Sequence, residues 1–307
     1  MRPKVTIQIV GWNSAKTLPM AIEGLKNIGP EQAVIRYFDN DSSDDSVKII
    51  REELPQAEVI ELKENVGFAR THNRGFKKCE TEFVLTHDPD LSLKRKGLMK
   101  LLGIMEEDKK IGAIQGKLSR LDGRVDSAGI IKTLALNGRE RGASETDEGL
   151  YDKRERVWAV TGACGLYRMA ALGKVGFFDD DFFAYKEDVD LGWRLNKAGW
   201  KVLYEPVVVG THARTLGKRG VAGWGLDPRV VGERLRSPRT RYSFRNWIWM
   251  IWKNASWAEM LKHEVFIDLR LLVFLGLSLT YPPFFKVWAE TIRGLPKMAR
   301  KRMVRGT

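Results

Sequence analysis

Two aspartates at the end of a predicted strand have the types and spacing of a divalent-cation site. Residues 83–86 (FVLT) are typical of a buried strand, and Asp88, Pro89 and Asp90 follow it after one histidine. Pro89 fixes its own φ and favours an extended backbone at Asp88, which holds the two carboxylates close together. A hard cation such as Mg²⁺ or Mn²⁺ relieves the repulsion between such carboxylates and also binds substrate phosphates. A strand-ending turn is the alternative interpretation, because Asp and Pro are common turn residues.

A second acidic group, Glu187-Asp188-Val189-Asp190, comes at the predicted start of a helix. Carboxylates in the first turn of a helix interact favourably with its dipole. Capping therefore explains these residues without a catalytic role.

The elements that must position these side chains alternate between strand and helix. Each predicted strand of the amino-terminal part is followed by a helix, with roughly 25 to 30 residues per unit, and this alternation predicts a parallel, doubly wound α/β sheet. Neither a glycine-rich dinucleotide fingerprint nor a P-loop follows the first strand, which disfavours both of those nucleotide sites. Polar residues that follow the strands should meet at one edge of the sheet. These residues are Asn13, Asp39, Asn65, Asp88 and Asp90.

The positive charge of the chain is concentrated in its carboxyl-terminal third. The 307 residues have a formal net charge of +13, and residues 213–307 contain 19 Lys and Arg against 6 Asp and Glu. The preceding residues are neutral overall. Six of the ten tryptophans, including Trp224, also lie in the carboxyl-terminal third. This division predicts two regions with different roles.

The composition predicts an ordinary globular protein in a reducing compartment. Hydrophobic residues make up 43% of the chain and charged residues 30%. The two cysteines, Cys79 and Cys164, are far apart and show no metal-ligand spacing, which argues against a disulfide framework. The first residues contain only a short apolar run, so we expect no signal peptide.

The motifs, taken together and in this order, resemble one enzyme family. They are Trp12-Asn13, Asp39-Asn40, Asn65-x-Gly67-Phe68-Ala69, Asp88-Pro89-Asp90, Thr161-Gly162-Ala163-Cys164, Phe178-Asp179-x-x-Phe182-Phe183, Glu187-Asp188-Val189-Asp190 and His212. This pattern is similar to the family 2 glycosyltransferases, and within them to the branch that includes rhamnosyltransferases. The resemblance implies a GT-A fold, an α/β domain with a doubly wound mixed sheet over residues 1–215, and a helical carboxyl-terminal extension over residues 216–307. His87 departs from the family pattern, and residues 119–156 match nothing diagnostic.

The resemblance also implies a donor site for a nucleotide-diphosphate sugar. Asp39 would hold the base of the nucleotide with Arg70 nearby, and the other donor-binding residues would be Asn13, Asn65 and Asp88. The metal ligands for Mg²⁺ or Mn²⁺ would be Asp88, Asp90 and His212. For His212, a strand-end histidine without a ligand is the alternative.

For the acceptor side, the resemblance implies that Asp188 is the general base and that Gly162, Ala163 and Glu187 lie beside the acceptor. One base and no enzyme nucleophile predict single displacement with inversion at the anomeric carbon. The predicted function is transfer of a sugar to a hydroxyl of a lipid-linked or polysaccharide acceptor in cell-envelope glycan synthesis. A catalytically silent relative that binds sugar nucleotides or glycans, and a nucleotidyltransferase, are the alternatives.

The basic, tryptophan-rich region of residues 216–307 predicts association with an anionic membrane. Arginine and tryptophan on an amphipathic segment suit a helix in the membrane interface, and the polybasic end suits anionic lipid. The longest uncharged apolar stretch, residues 271–285, is short and interrupted by proline, which argues against a bilayer span. Packing on the catalytic domain or on another subunit of a homo-oligomer is the alternative, and we expect no nucleic-acid partner. The expected location is cytoplasmic, at the inner face of the cell membrane.

Overall fold

The computed structural model describes residues 2–214 and 228–305 of the chain. The expected domain boundary after residue 215 and the side chain of Trp224 lie outside the described residues.

The elements alternate as the sequence predicts through the first hundred residues. The described helices are α1 (Leu18–Leu25), α2 (Ser46–Glu53), α3 (Gly67–Lys77), α4 (Arg95–Glu107), α5 (Met169–Val175), α6 (Glu187–Lys197), α7 (Pro228–Arg236), α8 (Pro238–Asn254), α9 (Trp257–Thr280) and α10 (Phe285–Arg305). The described strands are β1 (Val5–Gly11), β2 (Ala33–Asp39), β3 (Glu58–Glu61), β4 (Phe83–His87), β5 (Leu91–Leu93), β6 (Ile111–Arg120), β7 (Val125–Ser127), β8 (Ile130–Lys132), β9 (Gly138–Glu140), β10 (Glu155–Arg156), β11 (Leu166–Arg168) and β12 (Lys201–His212).

A mixed sheet forms the centre of the molecule, with the strand order β10-β12-β6-β11-β4-β1-β2-β3. The four strands β3, β2, β1 and β4 are parallel, and β11 enters antiparallel between β4 and β6. The end of β1 lies beside the end of β2, because Gly11 pairs with Asp39. β12 ends at His212, which pairs with Leu91 immediately after the Asp88-Pro89-Asp90 motif. The strand ends therefore bring the predicted polar residues to one edge.

Helices cover both faces of the sheet, and the pleat of the strands divides the core between them. Phe83 and Leu85 of β4 join a buried cluster with α1 and α4, whereas Val84 joins a cluster with α3, α5 and α6. Alternate residues of a strand point to opposite faces, which explains this division. The strand is buried on both faces, as its uninterrupted apolar sequence predicts.

Residues 119–156, which the sequence interprets as loops and short pieces, contain the short strands β7 to β10. β7 pairs with the long strand β6, and β8 forms a two-stranded sheet with β9. The long strand β12 pairs with β6 with register shifts along its length. The helix after β1, α1, begins at Leu18. The backbone N–H groups of Asn13 and Ser14 donate to Ser42 and Ser46, which connects the end of β1 with the start of α2.

The carboxyl-terminal helices share a hydrophobic core with the α/β domain. Trp247, Trp249 and Met250 of α8 are buried in one cluster with Trp158 and Trp193 of the domain. The Trp247 indole donates to the carbonyl of Ala135 at 2.8 Å. The tryptophans that suggested a membrane segment are thus partly used in packing, which was the alternative interpretation from the sequence.

Buried charges reinforce this contact. Lys253 of α8 is buried and forms salt bridges with Asp179 at 2.7 Å and with Asp190 at 2.6 Å. Lys301 of α10 also binds Asp179 and Asp181. The helices α8 and α10 therefore supply the cations that neutralise acids of the α/β domain. None of the helices in the described ranges has the length and apolar character needed to cross a membrane.

Candidate active site

Two carboxylates and one imidazole meet at the carboxyl edge of the sheet. Each of Asp88, Asp90 and His212 offers a ligand atom, and these atoms all lie within 4.8 Å of one another. His212 Nε2 is 2.9 Å from Asp90 Oδ1 and 3.7 Å from Asp88 Oδ2. The predicted strand-end residues and the distant His212 are thus brought together, because β12 ends beside the motif.

Further charged residues extend this cluster, and sequence reasoning missed them. The carboxylate of Asp126, on β7, is 2.9 Å from His212 Nδ1 and accepts from Arg214 Nε at 2.6 Å. Glu140, on β9, lies 3.8 Å from Arg214. Asp126 and His212 are 86 positions apart, and no motif connects them. Their contact depends on β7 pairing with β6, next to β12.

Burial and neighbouring charges shift the proton affinities of the cluster. Burial raises the pKa of Asp88 to about 6, against the opposing effect of His212. Burial alone would lower the pKa of His212, but hydrogen bonds with Asp126 and Asp90 raise it to about 10. A protonated His212 donates to Asp126 and Asp90, and it would have to release the Nε2 proton to bind a cation. By contrast, burial lowers the pKa of His87 to about 4, so this histidine is neutral in the core behind the site.

The cluster fits a hard divalent cation. Carboxylate oxygens are the ligands that Mg²⁺ prefers, and Mn²⁺ also accepts an imidazole nitrogen. Asp126 binds His212 Nδ1, the ring nitrogen that faces away from Asp88 and Asp90. A carboxylate in this position fixes the orientation of a metal-binding histidine.

A loop between Thr161 and Gly165 connects this cluster with the second acidic group. The backbone N–H of Asp88 donates to the carbonyl of Ala163 at 3.0 Å. The N–H of the preceding residue, Gly162, donates to Asp188 Oδ2, also at 3.0 Å. Two adjacent residues of one loop therefore hold Asp88 and Asp188 on the same side of the molecule. Cys164 of this loop is fully buried in the core, where burial raises the pKa of its thiol.

The environment of Asp188 favours a carboxylate with raised proton affinity. Burial raises the pKa of Asp188 above its usual 3.8, although hydrogen bonds from the N–H groups of Gly162 and Val189 oppose the shift. Burial and the adjacent Asp188 raise the pKa of Glu187 well above its usual value. A base is most effective when its pKa approaches the working pH. The direction of the shift at Asp188 therefore suits a proton acceptor.

The donor-side residues predicted from the sequence form a network beside the cluster. Asp39 is buried, and its Oδ2 accepts from the N–H of Ser42 at 2.8 Å. Its Oδ1 is buried near the Tyr37 hydroxyl and has no hydrogen bond of normal geometry among the described residues. Asn13 has a left-handed backbone, and its Oδ1 accepts from the N–H of Ser43 at 2.8 Å. An acceptor such as Asp39 Oδ1 suits the N–H of a nucleotide base.

Arg70 lines a cleft, and Asn65 fixes the start of the helix that carries Arg70. Asn65 Oδ1 accepts from Asn40 Nδ2 at 2.9 Å and from the N–H of Gly67 at 3.0 Å, which fixes the start of α3. Arg70 Nε donates to the carbonyl of Asp180 at 2.9 Å. The cleft has a volume of about 280 Å³ and is lined by Glu64, Val66, Arg70, Asn73, Arg74, Lys77 and Asp180.

A family comparison covers most of the chain. The model of the family described as glycosyltransferase like family 2 matches residues 3–225. The match includes every residue that the sequence assigns to the site.

Two curated relatives support the same family. The poly-beta-1,6-N-acetyl-D-glucosamine synthase of Staphylococcus aureus (strain COL) is 24% identical over 210 residues, which are 67% of this chain and 48% of the relative. The N-acetylglucosaminyl-diphospho-decaprenol L-rhamnosyltransferase of Mycobacterium tuberculosis (strain CDC 1551 / Oshkosh) is 27% identical over 191 residues. These are 55% of this chain and 62% of that relative. The matches thus span less than two thirds of either relative's own length.

A solved structure shares the architecture. The mannosyltransferase PcManGT of Pyrobaculum calidifontis, in complex with GDP-Man and Mn²⁺, superposes with a TM-score of 0.53 and 18% identity. The alignment covers 99% of this chain and 88% of that one. At this identity the likeness shows the fold, which is the GT-A fold that the sequence predicts. With the motifs at one sheet edge and a family model over residues 3–225, the chain belongs to glycosyltransferase family 2.

Proposed function

We propose that the protein transfers a sugar, with inversion, from a nucleotide-diphosphate sugar to an acceptor hydroxyl in a reaction that depends on a divalent cation. One observation carries the proposal: the adjacent residues Gly162 and Ala163 hold Asp188 and Asp88 by hydrogen bonds of 3.0 Å. A base and a diphosphate-binding cluster on the two sides of one loop are what single displacement needs.

The roles of the residues follow from the chemistry. Asp188 accepts the proton of the acceptor hydroxyl as that oxygen attacks the anomeric carbon. The bond from the anomeric carbon to the diphosphate oxygen breaks as the new bond forms, and the nucleoside diphosphate leaves. Asp39, Asn13, Asn65 and Arg70 bind the nucleotide and hold it in place, while Gly162, Ala163 and Glu187 border the acceptor.

Asp88, Asp90 and His212 would hold the cation. When bound, Mg²⁺ or Mn²⁺ neutralises charge on the diphosphate. Asp126 orients His212, because it binds Nδ1, the ring nitrogen that faces away from Asp88 and Asp90.

The experiment is a screen of sugar nucleotides, including rhamnosyl donors, with Mg²⁺, Mn²⁺ or chelator. Release of free nucleoside diphosphate with an inverted anomeric centre in the product supports the proposal, and the variant Asp90→Ala should weaken cation-dependent donor binding. Release of pyrophosphate would instead indicate nucleotidyl transfer. Donor binding without turnover for any acceptor would indicate a silent relative. Retention of anomeric configuration would contradict the role of Asp188.

We further propose that the acceptor is a lipid-linked or polysaccharide glycan of the cell envelope, and that the protein works at the cytoplasmic face of the membrane. The names of the two relatives, a polysaccharide synthase and a transferase acting on a diphospho-decaprenol, support this choice. The surface of the carboxyl-terminal helices supports it as well.

The end of α9 and the start of α10 form an apolar turn, which consists of the exposed residues Leu272, Val273, Leu275, Leu279, Pro282, Pro283 and Phe285. No acidic residue occurs between Asp268 and Glu290, and Lys286 is exposed at the edge of the turn. Apolar side chains bordered by cations are typical of a surface that inserts shallowly into an anionic bilayer.

Two contacts between arginine and aromatic side chains connect the apolar turn with the segment that precedes the second acidic group. Arg236 stacks on Tyr281 at the turn, with 5.3 Å to the ring centroid. A few residues further along, Arg239 lies 5.9 Å from the ring of Tyr185, which precedes Glu187 and Asp188. A membrane in contact with the turn would therefore be next to the acceptor side.

The test uses vesicles with and without anionic lipid. The variant Leu272→Glu/Leu279→Glu should lose sedimentation with anionic vesicles, because it places carboxylates in the apolar turn. Leu121→Glu/Leu150→Glu is the matched control, since these two leucines are 69% and 66% exposed and lie outside the carboxyl-terminal helices. Equal binding of both variants, or no binding of the unaltered protein, would contradict the membrane surface but not the transferase chemistry.

A further inference from the structure

The segment directly before Glu187 and Asp188 has an unusual backbone. Phe183, Tyr185 and Lys186 have φ values of 57°, 71° and 72°. Residues other than glycine rarely adopt such left-handed φ values, and each residue that does so costs free energy. Several of them in one short segment persist only where the surroundings hold the segment in place.

One buried side chain of the carboxyl-terminal helices supplies much of that restraint. Asn246 of α8 is fully buried, and its Nδ2 donates to the carbonyls of Phe182 at 2.7 Å, Ala184 at 3.0 Å and Tyr185 at 2.8 Å. Its neighbour Arg245 donates to the carbonyl of Asp181 at 3.2 Å. The two N–H groups of this amide thus serve three carbonyls, one of the N–H groups being shared between two of them. The backbone conformation of residues 182–185 directs all three carbonyls towards Asn246.

The same segment also contacts the donor side. The N–H of Ala69, at the start of α3, donates to the carbonyl of Phe183 at 3.0 Å. Gly67 has a φ of 84°, and a Cβ at this position would lie 2.6 Å from Phe183. The absence of a side chain at Gly67 therefore allows this close approach. The ring of Phe183 stacks on Tyr242 of α8 at 5.0 Å.

Relaxation of the segment would displace Asp188. If Tyr185 and Lys186 adopted negative φ values, their carbonyls would turn away from α8 and the first turn of α6 would reorient. The carboxylate of Asp188 accepts from Gly162 at 3.0 Å, a contact that a shift of about 1 Å would break. Displacements of that size cost on the order of 10²-fold in rate when a reacting group is misplaced.

We propose that Asn246 is a positioning residue for the transfer reaction and acts through residues 182–186 on Asp188. The inference rests on the proposed function only in taking Asp188 as the base. It assigns to α8 a role in catalysis that is separate from its packing and from any contact with a membrane.

Asn254 provides a matched control on the same helix. It is also a buried asparagine at the contact between α8 and the α/β domain, and its Nδ2 donates to Asp190 Oδ1 at 2.7 Å. Asp190 lies within α6, after the left-handed segment. Loss of Asn254 therefore removes a buried hydrogen bond without releasing residues 182–186.

The experiment compares the variants Asn246→Ala, Asn246→Asp and Asn254→Ala in the full chain. For Asn246→Ala we expect turnover to fall about 10- to 100-fold while the Kd for the sugar nucleotide changes less than about threefold. Asn246→Asp should lower turnover further than Asn246→Ala, because it replaces the amide donor by a carboxylate acceptor that faces three carbonyls. Asn254→Ala should lower the melting temperature to a similar extent as Asn246→Ala but keep turnover within about twofold of the unaltered protein.

Hydrogen exchange of residues 182–189 gives a readout that does not depend on activity. Exchange in this segment should become at least tenfold faster in Asn246→Ala and stay unchanged in Asn254→Ala. Unchanged exchange in Asn246→Ala, or equal losses of turnover in both alanine variants, would overturn the inference. Absence of turnover in the unaltered protein would count against the proposed function alone, because the exchange comparison still reports whether Asn246 holds the segment.

Discussion

Acidic residues between positions 179 and 190 fall into two groups with opposite electrostatic environments. Asp179 and Asp190 form buried salt bridges with Lys253, and Asp190 also binds Arg194 at 2.8 Å. Asp188 instead accepts hydrogen bonds from backbone N–H groups, and the neighbouring cation Lys186 opposes the rise in its pKa without reversing it. Burial would raise the pKa of all three acids, but the cations reverse the shift for Asp179 and Asp190.

This difference separates the acids that stabilise the fold from Asp188, the proposed base. A carboxylate whose pKa is lowered by fixed cations does not accept a proton near neutral pH, whereas one with a raised pKa does so more readily. The sequence Glu-Asp-Val-Asp contains both kinds two positions apart. On α6, that spacing directs Asp190 towards α8 and leaves Asp188 beside the Gly162 loop.

The largest expected effect is that of Asp188→Asn, which tests whether Asp188 is the base. Asp188→Asn should reduce turnover roughly 10²- to 10⁴-fold, because an amide cannot accept the proton of the acceptor hydroxyl. Binding of the sugar nucleotide, measured by calorimetry, should change little. The comparison variant Asp190→Asn should mainly lower stability. Near-normal turnover of Asp188→Asn would show that the base lies elsewhere.

The stabilising group is tested by Lys253→Met. This change leaves Asp179 and Asp190 buried with fewer cations, and removal of one partner of a buried pair costs about 3–5 kcal/mol. Urea unfolding measures the loss. Lys297→Met is the control, since Lys297 is 55% exposed in its salt bridge with Asp181, and such exposed pairs contribute about 1 kcal/mol or less. Similar losses of unfolding free energy in both variants would contradict the stabilising role of the buried salt bridges of Lys253.

A smaller effect is expected for Asp126, which lies behind the candidate metal site. Asp126→Asn should weaken Mn²⁺ affinity about 10- to 100-fold, because it replaces the carboxylate that orients His212 by a neutral amide. Titration with Mn²⁺ monitored by protein thermal stability measures the change. The exposed Asp122→Asn serves as control, and an unchanged Mn²⁺ affinity in Asp126→Asn would exclude the orienting role.

The most gradual effect is the dependence of stability on pH. Asp179 and Asp190 have folded pKa values below the usual 3.8, so they stabilise the fold above pH 4, and this contribution is lost as pH falls through the folded values. Glu140 has the opposite sign, since burial raises its pKa from 4.5 to about 7.

Between about pH 4.5 and 7 the folded state therefore holds a proton on Glu140 that the unfolded state releases, and stability falls as pH rises. Urea unfolding across this range should show a shallower slope in Glu140→Gln than in the unaltered protein. The same slope in both proteins would show that Glu140 does not titrate as its burial implies.

The position of the Asp88-Pro89-Asp90 motif at the sheet edge was largely predictable because its signal is local. A strand followed by closely spaced carboxylates specifies both an element and the polar groups at its end, and parallel strands bring such ends to one edge. His212 was found through the resemblance to the family, and β12 does place it beside Asp90. Asp126 and Arg214 were not predictable, since their contacts join segments that no spacing relates.

The carboxyl-terminal helices show more clearly what the sequence could not predict. Arginine and tryptophan between positions 234 and 257 suggested a surface segment, yet Trp247 and Trp249 are buried against the domain. The exposed apolar side chains lie along the whole of α9 instead, from Trp257 to Leu279. Composition reports that a segment is amphipathic, but it does not report which partner covers its apolar side.

The sequence by itself determined the alternation of strands and helices, the family, and the residue types available at the sheet edge, because these depend on neighbours in the chain. The tertiary structure decided which acids have cations, which tryptophans are buried, and that Asn246 reaches the backbone before Asp188. Those outcomes depend on contacts between distant segments, and the free energy of a charge or an apolar side chain is set by what surrounds it after folding.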